Sequence, residues 1–199
     1  MTGLKRRGDS AYIFKSRWKQ FAAGILDAAG RAVFGTRPQK PAETTPVRRI
    51  LVLRMDQLGD AVFAAPAVAV LREIFPEASI DFLAGPWAAP LVRQFPGVSR
   101  TIVFEDNWFA PRRRFLKSLR NARALAKILR ANAYDLGIDL RGDFRNILLM
   151  KAAKIQRIAG YGITGGGFLL DCVPAYDFSA HQVDLNLRLV CEAARAVSG

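Results

Sequence analysis

Asp60 is a candidate for acid–base chemistry. It closes the segment Arg54-Met55-Asp56-Gln57-Leu58-Gly59-Asp60, which follows an apolar run and opens a helical stretch. The helix dipole favours negative charge there, and a carboxylate in a cleft can take a proton from an attacking hydroxyl. Gly59 permits a tight turn and close approach of a ligand. A blander role is open to the same residues: Asp is a common N-cap and Gly-Asp a common turn. Spacing by itself favours the bland role.

A second group is cationic. Residues 112–130 contain Arg112, Arg113, Arg114, Lys117, Arg120, Arg123, Lys127 and Arg130 without one acid. Solvated helix faces usually mix charge signs, so the first five suggest a phosphate-binding surface that Arg forks would suit. Arg123 to Arg130 are as easily a solvated face. Leu116, Leu119, Ala122, Ala126 and Leu129 are expected to face the core. Arg141, in Asp139-Leu140-Arg141-Gly142, is placed to reach an acceptor, while Asp139 is expected to cap the turn that follows.

Several chemistries are excluded or weakened. A single histidine, His181, leaves no His-based metal site or catalytic dyad, and a structural polar role suits it better. The two distant cysteines, Cys172 and Cys191, form no disulfide framework and read as small buried residues. The loop after the first strand lacks GxGxxG. The glycines at 162 and 165–167 are not followed by Lys-Ser/Thr, so they read as a plain flexible loop.

These residues need a scaffold. From Arg48 the chain alternates strand and helix patterns. Strands are expected at 50–53, 80–83, 101–104, 136–140 and 157–159. Helices are expected at 61–74, 87–95, 112–132, 144–153 and 181–196. Such β–α units imply a Rossmann-like parallel sheet with helices on both faces. Ligands then bind beyond the carboxyl ends of the strands, where Asp60, Arg112 and Arg141 would all lie.

The net charge is +13, of which residues 1–49 carry +8, from 11 Lys/Arg and 3 Asp/Glu. Polyanionic partners follow from that balance. Residues 10–34 read as an amphipathic helix bearing Tyr12, Phe14, Trp18, Phe21, Ile25 and Phe34 among basic residues. This composition suits an anionic membrane surface, although packing on the domain would also account for it. Residues 35–46 read as a linker, dividing the chain into a 1–46 extension and a 47–199 domain. No secretory signal or membrane span is expected. Nucleic acid is disfavoured, since no helix-turn-helix, RNP or zinc-finger signature occurs.

The ordered motifs resemble glycosyltransferase family 9, which includes the heptosyltransferases of lipopolysaccharide assembly. Arg54, Leu58-Gly59-Asp60, Pro66, Phe75-Pro76, Tyr134-Asp135, Ile138-Asp139-Leu140-Arg141-Gly142 and Gly160-Tyr161 carry the likeness over residues 48–198. It departs at Asp56 and Gln57, where many members have Ser or Thr.

The resemblance implies the N-terminal, acceptor-side half of a two-domain GT-B enzyme, whose donor domain would lie beyond residue 199. It assigns Asp60 as catalytic base of an inverting, metal-independent transfer with no cofactor. Gly59, Arg112, Arg113, Arg114, Lys117, Arg120 and Arg141 are then acceptor-binding residues. The co-substrate would be a nucleotide sugar such as ADP-heptose and the acceptor a phosphorylated glycolipid. The implied location is cytoplasmic, on the inner face of the inner membrane. The alternative is a non-catalytic basic module that binds anionic membrane or nucleic acid.

Overall fold

The computed structural model describes residues 46–105 and 115–198, together with Phe21, Gly24, Ile25, Asp27, Ala28 and Gly30. Five parallel strands form one sheet: β1 (Arg49–Arg54), β2 (Ser79–Ala84), β3 (Arg100–Val103), β4 (Leu136–Asp139) and β5 (Arg157–Gly160), in the order β3-β2-β1-β4-β5. β1 is central, and Ile50, Leu51, Val52 and Leu53 are fully buried. That is the pattern of a strand covered on both faces.

Among residues 46–105 and 115–198, six α-helices connect and cover the strands: α1 (Leu58–Val62), α2 (Ala65–Ile74), α3 (Ala89–Val92), α4 (Phe115–Ala131), α5 (Phe144–Ala152) and α6 (Gln182–Ser198). α1, α2, α3 and α6 pack on one face, through Ala61, Val68, Leu71, Val92, Leu189 and Ala193. α4 and α5 pack on the other, through Leu125, Leu129, Ile147 and Met150. Each buried Leu or Ile contributes about 1.5–3 kcal/mol, so these two apolar layers, and not helix propensity, hold the helices in place.

The chain winds outward from β1 to β2 and β3 over one face, then returns over the other to β4 and β5. Neighbouring strands β1 and β4 therefore send their following loops in opposite directions. In open parallel sheets, such a switch point is where a ligand crevice forms, at the carboxyl ends of the strands. Leu53 lies beside Asp139 in the register, so the two loops start level.

Two expectations need correction. The helix expected over 61–74 is two helices, broken at Phe63 and Ala64. Pro66 has no N–H and suits only a first helical turn, so a new helix begins around it. On α4 the core stripe is Leu125, Ala126 and Leu129, whereas Leu119 is 37% exposed and outside it.

The described extension positions are helical. Asp27 is buried and accepts the Gly166 N–H at 2.6 Å, and a Cβ on Gly30 would lie 2.4 Å from the Phe168 ring. The glycine loop is thus a packed turn, with positive φ at Gly162, Gly165 and Gly166. Phe21 and Ile25 are exposed. Among the described residues, no helix is long and apolar enough to cross a membrane.

Candidate active site at the switch point

Arg54 is the last residue of β1, and it is buried. Each of its three guanidinium nitrogens has a partner. Nη1 donates to the Leu140 carbonyl at 2.5 Å, joining the β1 loop to the β4 loop. Nε meets Asp56 Oδ1 at 2.7 Å, and Nη2 meets Asp60 Oδ1 at 3.0 Å. The rigid guanidinium fork therefore fixes two carboxylates at the mouth of the crevice. Asp60 stands in the first turn of α1 with its side chain 32% exposed, so it is oriented from below and open from above.

Asp56 is more enclosed. Burial raises its pKa, the Arg54 charge opposes this, and the nearby Asp60 charge adds to the rise. Its second oxygen lies 3.6 Å from Arg141 Nη1. Arg141 also approaches Asp143 Oδ2 at 3.6 Å. Asp143 is the N-cap of α5, accepting the Arg145 N–H at 2.9 Å. Burial works to raise the Asp143 carboxyl, but the hydrogen bonds and charge of Arg145 outweigh it and hold the group below its ordinary value.

Asp139 underpins the β4 loop. It is fully buried and accepts from Arg141 N at 3.1 Å, Asp143 N at 2.8 Å and Asn146 Nδ2 at 2.9 Å. Burial pushes its pKa up to about 7, against the Asn146 hydrogen bond. The capping role expected of it holds, with Asp143 as the cap of the helix itself.

Aromatic rings flank the carboxylates. The Trp87 indole is 45% exposed and donates its N–H to the Asp56 carbonyl. Tyr176, its pKa raised by burial, lies close enough to feel the charges of Arg54 and Asp60. It packs edge-on to Tyr161 and Phe178, each at 4.9 Å. An apolar ring face beside a hydrogen-bonding carboxylate is a surface that sugars suit.

The structure gathers Gly59, Asp60 and Arg141 at this crevice, linked through Arg54 and Asp56. Gly59 does not make the tight turn expected of it. It lies inside α1, and a Cβ there would meet nothing within 4 Å, so the space beside it is open. Arg120 is exposed on α4, as are Arg123, Lys127 and Arg130. Arg112, Arg113 and Arg114 lie outside the described residues, as does the Lys117 side chain.

His181 has a structural part: Nδ1 accepts the Val183 N–H at 3.2 Å and the ring packs on Phe63. Cys172 and Cys191, expected to be buried, are partly exposed. Among the described residues no group of three or more His, Cys, Asp or Glu side chains is arranged to hold a metal.

The sequence reasoning missed Asp56, Trp87, Asp143 and Tyr176 as site residues, and used Arg54 only as part of a motif. An Arg ending a buried strand was the available signal, because it must find carboxylate or carbonyl partners. A separate cleft of about 380 Å³ opens at the other end of the sheet, lined by Arg49, Asp81, Arg100, Asn132 and Tyr134. Its groups bond one another, Tyr134 Oη to Asp81 at 2.5 Å and Arg100 to Asp81, Asn132 and Tyr134, as a structural network does.

No family model matches the chain. It is 28% identical over 113 residues to lipooligosaccharide heptosyltransferase 2 of Haemophilus ducreyi, covering 57% of this chain and 30% of that protein. The chain therefore spans under a third of that relative's length. Among solved structures it superposes on the ADP-heptose lipopolysaccharide heptosyltransferase II of E. coli with a TM-score of 0.60 and 24% identity, over 74% of this chain and 43% of that one. For the glycosyltransferase family 9 protein of Veillonella parvula the TM-score is 0.64 at 18% identity, over 77% and 43%. These structures share the fold, with its parallel sheet and covering helices. The described domain is heptosyltransferase-like, similar to glycosyltransferase family 9 over the part of those proteins that it covers.

Proposed function

We propose that this chain is the acceptor-side domain of an inverting sugar transferase, with Asp60 as general base. The observation that carries the reading is the Arg54–Asp60 pair, which presents a half-open carboxylate at the switch-point crevice. Asp60 takes the proton of an acceptor hydroxyl. That oxygen attacks the anomeric carbon of a nucleotide sugar, and the nucleotide leaves with the electrons of the broken C–O bond. Carboxylate and protein donors suffice for this displacement, without a metal or cofactor in the scheme. The similarity to an ADP-heptose-dependent protein supports ADP-heptose as donor, held by a second domain facing the crevice.

The acceptor is a phosphorylated glycolipid of the lipopolysaccharide core. Its reacting hydroxyl sits over Gly59 and within reach of the Arg141 donors. Its phosphates meet the basic residues Arg112, Arg113, Arg114, Lys117 and Arg120. Exposed Phe21 and Ile25 on the extension support peripheral attachment to the inner face of the inner membrane.

The test is Asp60→Asn in the complete enzyme, assayed for heptose transfer. Transfer should fall about 10²–10⁴-fold while acceptor binding persists. Full activity of the variant refutes the base assignment. A non-catalytic basic module, the alternative, would bind without any transfer to lose.

A further inference from the structure

Positive charge at the floor of the crevice is already spoken for. Arg54 is held by Asp56 at 2.7 Å and Asp60 at 3.0 Å. Arg141 lies 3.6 Å from both Asp56 and Asp143, and Arg145 lies 2.7 Å from Asp143. Three guanidiniums thus face three carboxylates, with the buried Asp139 carboxyl behind them. Among the described residues, each guanidinium at this floor already has its charge balanced by a carboxylate. A phosphate entering here would stand beside those carboxylates, and like charges this close repel strongly in a part-buried site.

Asp56 is the key member, because it alone is shared by the two arginines that bridge the loops: Oδ1 faces Arg54 and Oδ2 faces Arg141. Its backbone carbonyl also receives the Trp87 indole N–H, which fixes a half-exposed aromatic face on the same loop. Such a face stacks on the C–H side of a sugar ring and offers nothing to an anion.

We propose that Asp56 is a specificity-determining residue that closes the crevice floor to phosphate, so that the acceptor group seated beside Asp60 is an uncharged, hydroxyl-bearing ring. Phosphates of the acceptor are displaced outward from it. The inference rests on reading the crevice as the acceptor site, and it narrows what that site takes. Arg141 then acts as a hydrogen-bond donor to a hydroxyl, with its charge balanced by Asp56 and Asp143.

The test is a titration of the full chain with inorganic phosphate, followed by NMR at the side-chain N–H signals of Arg141 and Trp87. Arg141→Gln and Trp87→Phe assign those signals. In Asp56→Asn they should shift with a phosphate affinity at least about tenfold tighter than in the wild type. Adding Arg141→Gln to that variant should abolish the gain. Equal affinity in wild type and Asp56→Asn overturns the inference.

Should Asp56→Asn fail to fold, Arg141→Gln alone decides. Phosphate affinity of the chain unchanged within about twofold supports the inference, and a loss of about tenfold overturns it. The acceptor-site reading fails separately, by undiminished transfer in Asp60→Asn, a result on which the phosphate titration does not depend.

Discussion

Replacing Arg54 by Met removes the group that ties the site together while keeping much of its bulk. The Leu140 carbonyl loses its 2.5 Å donor, and an orphaned buried acceptor costs about 1–3 kcal/mol. Asp56, with its side chain 11% exposed, loses its nearest cation, and stripping one partner from a buried pair costs about 3–5 kcal/mol. Asp60 is 32% exposed, so its lost pairing adds at most about 1 kcal/mol. These losses overlap, because Arg141 stays 3.6 Å from Asp56 and shares its charge. The net deficit should be about 3–5 kcal/mol at about pH 8.

The deficit should depend on pH, with a definite sign. Burial and the Asp60 charge already raise Asp56, and Arg54 is the largest influence opposing them. Without Arg54 the folded-state value moves further above the ordinary 3.8. A raised carboxyl contributes stability that is fully present below its unfolded value and lost as pH rises through the folded one. The variant therefore protonates Asp56 more readily than the wild type as pH falls, so its deficit shrinks in acid.

Urea unfolding of wild type and variant at about pH 5 and about pH 8, with slopes compared, measures this. A deficit equal at both pH values, or larger in acid, refutes the claim that the Arg54 charge opposes the rise of the Asp56 pKa. Arg54→Lys is the companion. It restores a charge, but one ammonium cannot serve Leu140, Asp56 and Asp60 together. The pH dependence should weaken, while transfer stays low because Asp60 is no longer oriented.

Asp139→Asn leaves at least one of three N–H donors unsatisfied and should cost about 1–3 kcal/mol in urea unfolding. With the Asp139 pKa raised to about 7, the wild-type contribution is fully present below 3.8 and lost as pH rises through about 7. The deficit should therefore narrow from acid to neutral pH, and a widening deficit would contradict the dominance of burial. Gly142→Ala places a Cβ 2.8 Å from Ile163 Cγ1 at φ +74, beside Arg141, and should lower stability by about 1–3 kcal/mol. An unchanged thermal midpoint would show that the loop yields freely. The double substitution Phe21→Ser, Ile25→Ser should reduce co-sedimentation with anionic vesicles and leave the fold intact, since both residues are exposed; wild-type pelleting by the variant would remove the extension from membrane attachment.

The sheet was legible because its signal is collective. Ile50 to Leu53 read as a strand buried on two faces, and the spacing of later apolar runs set the β–α alternation. The carboxyl-end rule then put Asp60 and Arg141 on one rim of the sheet, where the structure has them, without any contact being known. The α1–α2 break was less legible, because a helical pattern with an early Pro reads equally as one helix or two. Leu119 was misplaced for a related reason: periodicity gives the apolar face of a helix but not how much of that face is covered.

The charge logic of the site was illegible for a stronger reason. Asp56 and Arg141 are 85 residues apart in the chain, and their 3.6 Å approach exists only because β1 and β4 are neighbours in the sheet. Read singly, Arg141 is a cation free to grip phosphate and Asp56 a polar loop residue. Read together, each cancels the other, and the chemistry of the floor passes from anion binding to the handling of hydroxyls. Arg54 explains why the pair is stable enough to matter: its fork spans both loops, so neither carboxylate can swing out to solvent without stranding a buried guanidinium. The same contact that orients Asp60 therefore also sets what can lie beside it, and the two roles cannot be altered independently by substitution at Arg54. Separating them requires changes at Asp56 and Asp60 individually, which is where transfer and phosphate exclusion should part.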